Sequence, residues 1–483
     1  MPLTQAAARG IRWTTLSMLL ITITQLIRLV VLGRILGPEA FGLLAMMLVV
    51  TGFAELLGQM GLSEAIIQRP DPTHIELSSL YWLNIVLGGL LYVALLLATP
   101  LIATLYSTPE LEQLLPWVAL AFLISPWGVQ FKALLQKRLQ FKPLAIIEIL
   151  AAVVGTLLAI VLAWQGYGVW SLVWGQLAQS AVMALSLVLL GWQRQMLPGF
   201  CFNYMAVKPY LSFGLHLLGS NMLNYFNSRI DQLVVGTLLG SQALGYYSMA
   251  FNLVLQPISR INPVLTQVAF PVFAKVRSDK VRLKRGYFRM LDLLTSINAP
   301  VLFGVAAVAP LLIPVVLGDQ WLPIVPLIQV LALFSLIRST GNAGGSLVLA
   351  CGRADLSFYW NLMLFACIPL AVVAGAKLGG LQGVAWTLLG LQMLLLFAWY
   401  YFVVRRLLGN CFSGFIGSMI VPVIFAVPMA GAVIGIAPFL STLPAAMQST
   451  AQVLLGGAIY VCLYLSFRKE FVKEQLQLFF KRQ

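Results

Sequence analysis

Between Arg12 and Phe467 the chain uses one unit again and again: a run of about twenty apolar residues, then a few residues of Gly, Pro or charge. At 1.5 Å per helical residue, a run of that length matches the roughly 30 Å hydrocarbon core of a bilayer. The runs fall at 12–34, 42–62, 79–105, 113–131, 143–163, 168–190, 212–239, 245–269, 289–317, 323–350, 356–376, 382–404, 413–437 and 445–467, about 14 spans in all. Inside hydrocarbon every backbone N–H and C=O needs an internal partner, so such runs fold as helices and the chain as an all-α polytopic membrane protein. Composition closes the other routes. Apolar residues make up 60% of the 483 and charged residues 9%, against roughly 25% charged in a soluble domain. A soluble fold could not hide that much apolar surface. Five cysteines are too few for a disulfide scaffold, and the hydrophobicity excludes disorder. The apolar run after Met1–Arg12 is too long for a signal-peptide core and has no Ala-x-Ala site near its end, so the first span is expected to stay in the protein.

The net charge is +15, from 30 Lys and Arg against 15 Asp and Glu. With the N-terminus inside, 24 basic residues lie on one side of the membrane and two, Arg34 and Lys377, on the other. The positive-inside rule then makes both termini cytoplasmic and the number of spans even. Basic loops held against anionic headgroups account for the excess charge, including the cluster from Lys275 to Arg289. No basic stripe interleaved with aromatics suggests a nucleic-acid partner. Cys201, Cys351 and Cys411 fall on the inner side and Cys367 and Cys462 in spans, so no disulfide is expected.

The chain also repeats itself. At a constant offset of 203, Val31 matches Val234, Gly33 Gly236, Leu36 Leu239, Gly37 Gly240, Ala40 Ala243, Gly42 Gly245 and Met46 Met249. Three glycines in register at a span end pair spans 1–2 with spans 7–8. Both copies start inside, so the repeat is parallel, about an axis along the membrane normal. The expected architecture is two pseudo-symmetric six-helix lobes, 1–200 and 201–404, followed by two further helices and a basic cytoplasmic tail in 405–483.

Charges within spans carry the functional signal. An ionisable side chain at mid-bilayer costs about 2.5–3.5 kcal/mol on insertion scales and is retained only with a partner, a wet cavity or a substrate. The cations are Arg28, Arg229, Arg260 and Arg338; the anions are Glu55, Asp231, Glu148 and Asp292. At about 100° per residue, Thr14, Ser17, Thr24, Gln25 and Arg28 share one face of span 1. Asn221, Asn224, Ser228 and Asp231 recur at i, i+3, i+7 and i+10 on span 7. The repeat superposes Gln25 on Ser228 and Arg28 on Asp231, so the two stripes occupy equivalent faces of equivalent helices. They are read as facing a cavity, with interhelical hydrogen bonding, or a structural Arg28–Asp231 pair, as the alternatives. Two isolated histidines, His74 and His216, give no metal-ligand spacing, and no phosphate-cradling glycine loop is present. Neither a metal nor another cofactor is therefore expected.

Three stretches carry a family resemblance: Arg9 to Gly42, Asp231 to Tyr247, and Gly318-Asp-Gln-Trp-Leu-Pro323 through Gly352-Arg-Ala-Asp-Leu356. They resemble Wzx-type polysaccharide exporters, in particular the colanic-acid-exporter-like branch of the multidrug/oligosaccharidyl-lipid/polysaccharide superfamily. The resemblance covers nearly the whole chain. It implies a two-lobed alternating-access fold in the bacterial inner membrane. It also implies movement of an undecaprenyl-pyrophosphate-linked oligosaccharide to the periplasmic leaflet for cell-surface polysaccharide biosynthesis, beside a polymerase and chain-length machinery. A diphosphate asks for planar, permanently charged donors, and sugars for amides, hydroxyls and aromatic faces. Arg28, Arg229, Arg260, Arg338, Gln25, Asn221, Asn224 and Asp231 are the candidate substrate ligands; Glu55, Asp231 and Asp292 are candidates for ion coupling. A cation-coupled drug antiporter of the same superfamily would rest on a dominant carboxylate site, whereas Arg is at least as prominent here. A membrane-embedded polymerase or ligase would carry a large outer loop, whereas every outer loop is about eight residues or fewer.

Overall fold

The computed structural model describes residues 3–59, 62–68, 72–440 and 442–469; Arg69 and the basic tail with Lys473, Lys481 and Arg482 lie outside them. All regular structure among the described residues is helical. In order the helices are α1 (Leu3–Gln59), α2 (Leu62–Gln68), α3 (His74–Tyr106), α4 (Glu110–Ala119), α5 (Ala121–Ile124), α6 (Pro126–Lys137), α7 (Phe141–Trp164), α8 (Val169–Gln193) and α9 (Tyr204–Lys275). They continue as α10 (Lys280–Val316), α11 (Ile324–Ala350), α12 (Ala354–Trp399), α13 (Arg405–Leu408), α14 (Phe412–Ile436) and α15 (Ala445–Phe467). Among the described residues nine helices are long and apolar enough to cross a bilayer, or up to ten if the pair Glu110–Ile124 and Pro126–Lys137, bent by 45°, counts as one span.

Three pairs of apolar runs that the sequence separates are arms of one long helix with a glycine break: α1 at Gly37, α9 at Gly240 and α12 at Gly379-Gly380. Gly37 (φ 74°, ψ 176°) and Gly240 (φ 84°, ψ −179°) adopt the same backbone conformation, a region open to glycine and closed to residues with a Cβ. They are the two glycines related by the 203 offset. Close to them the corners interlock: a Cβ on Gly42 would meet the backbone carbonyl of Ser241, and a Cβ on Gly245 that of Pro38. Pro38 and Ser241 are again 203 apart, so the contact is reciprocal.

Helices also begin earlier than hydropathy suggests. The third span starts not at 79 but at His74, behind Thr73, whose side chain caps the N–H of Glu76 while Glu76 accepts from the Thr73 backbone N–H. The ninth starts at Lys280, where Asp279 accepts from the N–H groups of Val281 and Arg282. These first turns are polar, so a hydropathy window passes over them. The fourth span is divided into α4, α5 and α6, with Pro116 within α4 and Pro126 opening α6.

The chain divides into two units, Met1–Gly245 and Tyr246–Gln483. In the first, the segment after α8 folds back on α3. Ser78 and Ser79 accept from the N–H groups of Gly199 and Asn203, Trp82 donates to the Gly199 carbonyl, and the Trp82 ring stacks on Phe200 at 5.3 Å. In the second, Phe273, Tyr287, Leu291, Leu347, Val404 and Phe415 form a tight core. In the first half of α10, Asp292 accepts from the two terminal guanidinium nitrogens of Arg468 at 2.7 Å. Arg468 also donates to Tyr464, which bonds Ser296. Pro300 has no N–H for the Ser296 carbonyl, and Tyr460 donates to it instead at 2.9 Å. Helix α15 and Arg468 just beyond it are thus fastened to α10 through five polar side chains, those of Asp292, Ser296, Tyr460, Tyr464 and Arg468.

Candidate functional site: two polar chambers in the first unit

Two charged residues of α1, Arg28 and Glu55, line two adjoining chambers, both within the first unit. One, of about 730 Å³, is lined by Arg28, Glu55, Lys132, Gln136, Glu148 and Gln179, among others. The second, of about 580 Å³, is lined by Asn84, Tyr225, Arg229 and Glu55. They share Glu55, Ser125, Val129, Gln176 and Ser180 as a common wall.

Local structure explains each placement. Arg28 and Glu55 sit on opposite arms of α1, so the turn at Gly37 brings residues 27 positions apart onto one chamber. The Arg28 guanidinium spans to α8, donating to the Leu172 carbonyl at 3.4 Å. Lys132 on α6 and Glu148 on α7 form an ion pair of 3.0 Å, with both side chains partly exposed to the chamber. Arg229 donates to Gln232, one turn on, at 2.9 Å and faces the second chamber. Tyr225, one turn before it, donates to the Val49 carbonyl at 2.6 Å, which ties α9 to the second arm of α1. The chambers therefore present two guanidinium groups, an ammonium, two carboxylates and a lining of amides and hydroxyls inside an apolar bundle. Such a surface can hold a polyanion and a polyhydroxylated chain together.

The remaining candidates lie elsewhere. Gln25, Asn221 and Asn224 are exposed and line neither chamber. The hydroxyls of the two stripes turn inward on their own helices: Ser17 donates to Thr14, Thr24 to Leu20 and Ser228 to Tyr225. Asp231 is buried and accepts from the N–H of Gln232, whereas Arg28 reaches the Leu172 carbonyl on α8. In the second unit Arg260 is exposed, Arg338 lies over the rings of Phe251 and Phe334 at 6.0 and 5.8 Å, and Asp292 is engaged by Arg468. That bond raises the Arg468 guanidinium further above its ordinary range. No group of three His, Cys, Asp or Glu side chains suited to a metal occurs among the described residues.

Lys132, Gln136, Gln176, Gln179 and Asn84 are chamber residues that the sequence alone does not single out. The apolar run ends at 131, which puts Lys132 and Gln136 in a loop by hydropathy, whereas α6 continues to Lys137. Gln176 and Gln179 sit on α8 about one turn apart, a spacing that marks one helix face.

Residues 31–326 match the model of a family described as polysaccharide biosynthesis protein. The chain is 34% identical to the lipopolysaccharide biosynthesis protein WzxC of Escherichia coli (strain K12), covering 89% of this chain and 87% of that one. It is 33% identical to the teichuronic acid biosynthesis protein TuaB of Bacillus subtilis (strain 168), over 96% and 95%. Among solved structures, the lipid II flippase MurJ in an inward closed conformation aligns with a TM-score of 0.75 at 13% identity, over 95% of this chain and 99% of that one. A multidrug resistance MATE family transporter, inward-facing, aligns at 0.59 and 18% identity, over 82% of this chain and 98% of that one. The family match covers more than half of the chain and both relatives span nearly all of it: this chain belongs to the polysaccharide biosynthesis protein family.

Proposed function

We propose that this protein is a flippase that carries lipid-linked oligosaccharide repeat units from the cytoplasmic to the periplasmic leaflet of the bacterial inner membrane, for assembly of a cell-surface polysaccharide. The observation that carries the reading is the pair of chambers. Arg28 lines one chamber and Arg229 the other, and the two chambers share Glu55, Ser125, Gln176 and Ser180. An undecaprenyl diphosphate linked to sugars has the complementary chemistry: a permanent polyanion for forked guanidinium donors, and hydroxyls for Gln136, Gln176, Gln179 and Asn84. The kinship with proteins of lipopolysaccharide and teichuronic acid biosynthesis and the flippase-type fold support it. The protein acts as a transporter and not as an enzyme, by alternating access of lobes 1–200 and 201–404, with 405–483 accessory and both termini cytoplasmic. Glu55, common to both chambers, is the residue proposed to couple an ion to the cycle. Gln25, Asn221, Asn224, Arg260 and Arg338 line neither chamber and stay candidates for substrate contact outside them, as Asp231 and Asp292 do for coupling; single alanine variants of each in the export assay test these roles. A polymerase and chain-length machinery would take the product on the outer side.

The test is a deletion strain. The diphosphate-linked repeat unit is expected to accumulate in the inner leaflet, with its sugars reachable only from the cytoplasm, and to clear when the wild-type chain is restored. Normal surface polysaccharide in the deletion strain would overturn the reading, provided no second transporter gene is present.

A further inference from the structure

Beside the second chamber runs a trough of quite different character, about 390 Å³ in volume. Its walls are Phe53 and Leu57 of α1, Leu95 and Ala98 of α3, and Phe226 and Ile230 of α9, all within the first unit. Among the described residues, Tyr225 and Arg229 are its only polar lining, and these two, with Leu91, also line the polar chamber. The partition is fixed. The Tyr225 hydroxyl is bonded to the Val49 carbonyl, its ring lies 6.2 Å from Phe53, and Phe226 lies 5.1 Å from Phe53. Small side chains, Ala54, Ala94 and Ala98, leave the width of the trough open. One surface thus passes from apolar wall to guanidinium to amide-lined chamber, which is the order of parts in a single amphiphile.

We propose that this trough seats the isoprenoid chain of the lipid-linked substrate, with the diphosphate at Arg229 and the sugars in the polar chambers. The proposal rests on the flippase reading and adds to it where the lipid lies. The occupant is argued from charge and continuity. A cation at the polar end of an apolar channel favours a chain that ends in an anion, and the opening into the chamber leaves room for a headgroup larger than a phosphate alone. The aromatic and alanine walls suit a methyl-branched chain: the alanines give room for the branches and the rings pack against them.

The experiment is photo-crosslinking of the full-length protein in nanodiscs with a long-chain polyprenyl diphosphate carrying a diazirine in its chain, followed by mapping of the adducts. Adducts are expected on 53–57, 95–98 or 226–230. They should be competed by unlabelled polyprenyl diphosphate and left intact by phosphatidylglycerol in the same excess. Ala98→Trp fills the trough and should cut these adducts about tenfold, the equivalent of about 1.4 kcal/mol. Ala94→Phe serves as the second variant, and monodisperse elution establishes that each folds. Adducts elsewhere that the unlabelled diphosphate still competes would overturn the trough and leave the flippase reading standing. Competition by phosphatidylglycerol would also overturn it, by making the trough a seat for ordinary lipid. Absence of any competable adduct on the chain would remove both.

Discussion

The interlocked corners make the sharpest structural prediction. A methyl group added at Gly42 would stand 2.5 Å from the Ser241 carbonyl carbon and 3.0 Å from the Gly245 nitrogen. At Gly245 it would stand 2.7 Å from the Pro38 carbonyl carbon and 3.1 Å from the Gly42 nitrogen. Carbon atoms pack best at about 3.5–4.0 Å, so the two corners must separate by about 1 Å. What lies in the way is backbone, which has no rotamer to retreat into, so the cost belongs at the upper end of the overpacking range, about 3 kcal/mol. Replacing a helical glycine by alanine returns up to about 1 kcal/mol. The net is about 2 kcal/mol for Gly42→Ala or Gly245→Ala, a fall of about 4–8 °C in melting temperature for a unit of this size. Because either methyl pushes the same two corners apart, the double variant should lose clearly less than the sum. Gly304, on α10, is the control: a methyl there would have nothing within 4 Å, so Gly304→Ala should hold or raise the melting point. Intrinsic-fluorescence melting of the purified variants in one detergent reads all four. A melting point at or above wild type for both corner variants, or strict additivity of the pair, would refute the reasoning.

Arg28→Ala should abolish surface polysaccharide at normal membrane levels by blot, and Arg28→Lys should restore only part, because a point charge lacks the guanidinium fork; full export by Arg28→Ala would contradict its role. The charge exchange Arg28→Asp with Asp231→Arg should not restore export, since Arg28 reaches across to α8 while Asp231 bonds the backbone of its own helix; recovery would argue for a pair. Asp292→Asn leaves Arg468 half-enclosed without its carboxylate and should cost about 3 kcal/mol, with Arg468→Gln on top adding little; an unchanged melting point would contradict this. A reporter fused after Gln483 should be active in the cytoplasm, and periplasmic activity would overturn the orientation.

Much of this architecture is legible in the sequence because membrane folding is dominated by one pattern. Runs such as 143–163 and 413–437 coincide with α7 and α14 to within a few residues, since hydropathy alone decides them. The 203 offset is legible for the same kind of reason: Gly37 and Gly240 occupy a backbone conformation that excludes other residues, so the sequence has no freedom there. The site is only half legible. Arg28, Arg229 and Glu55 stand out because charge in hydrocarbon is costly. Gln25, Asn221 and Asn224 share their helix face with Arg28 or Asp231 but line neither chamber, because helical phase gives a direction around one helix and not what lies opposite it. Lys132 is hidden by its position at the end of an apolar run, where a cation usually marks a loop; its partner Glu148 comes from a different helix, a pairing that no spacing along the chain encodes.

The central claim is tested most directly in proteoliposomes made with the purified chain and a polyprenyl-diphosphate oligosaccharide bearing a fluorophore on its sugar. A membrane-impermeant quencher in the outer medium reaches only the outer-leaflet molecules in protein-free vesicles. With the protein present, and no nucleotide, the inner-leaflet fraction is predicted to become quenchable over time under a proton or sodium gradient of the right direction, and Arg28→Ala vesicles are predicted to behave like protein-free ones. An inner-leaflet fraction that stays protected with wild-type protein, under gradients of either ion in either direction, would contradict the account.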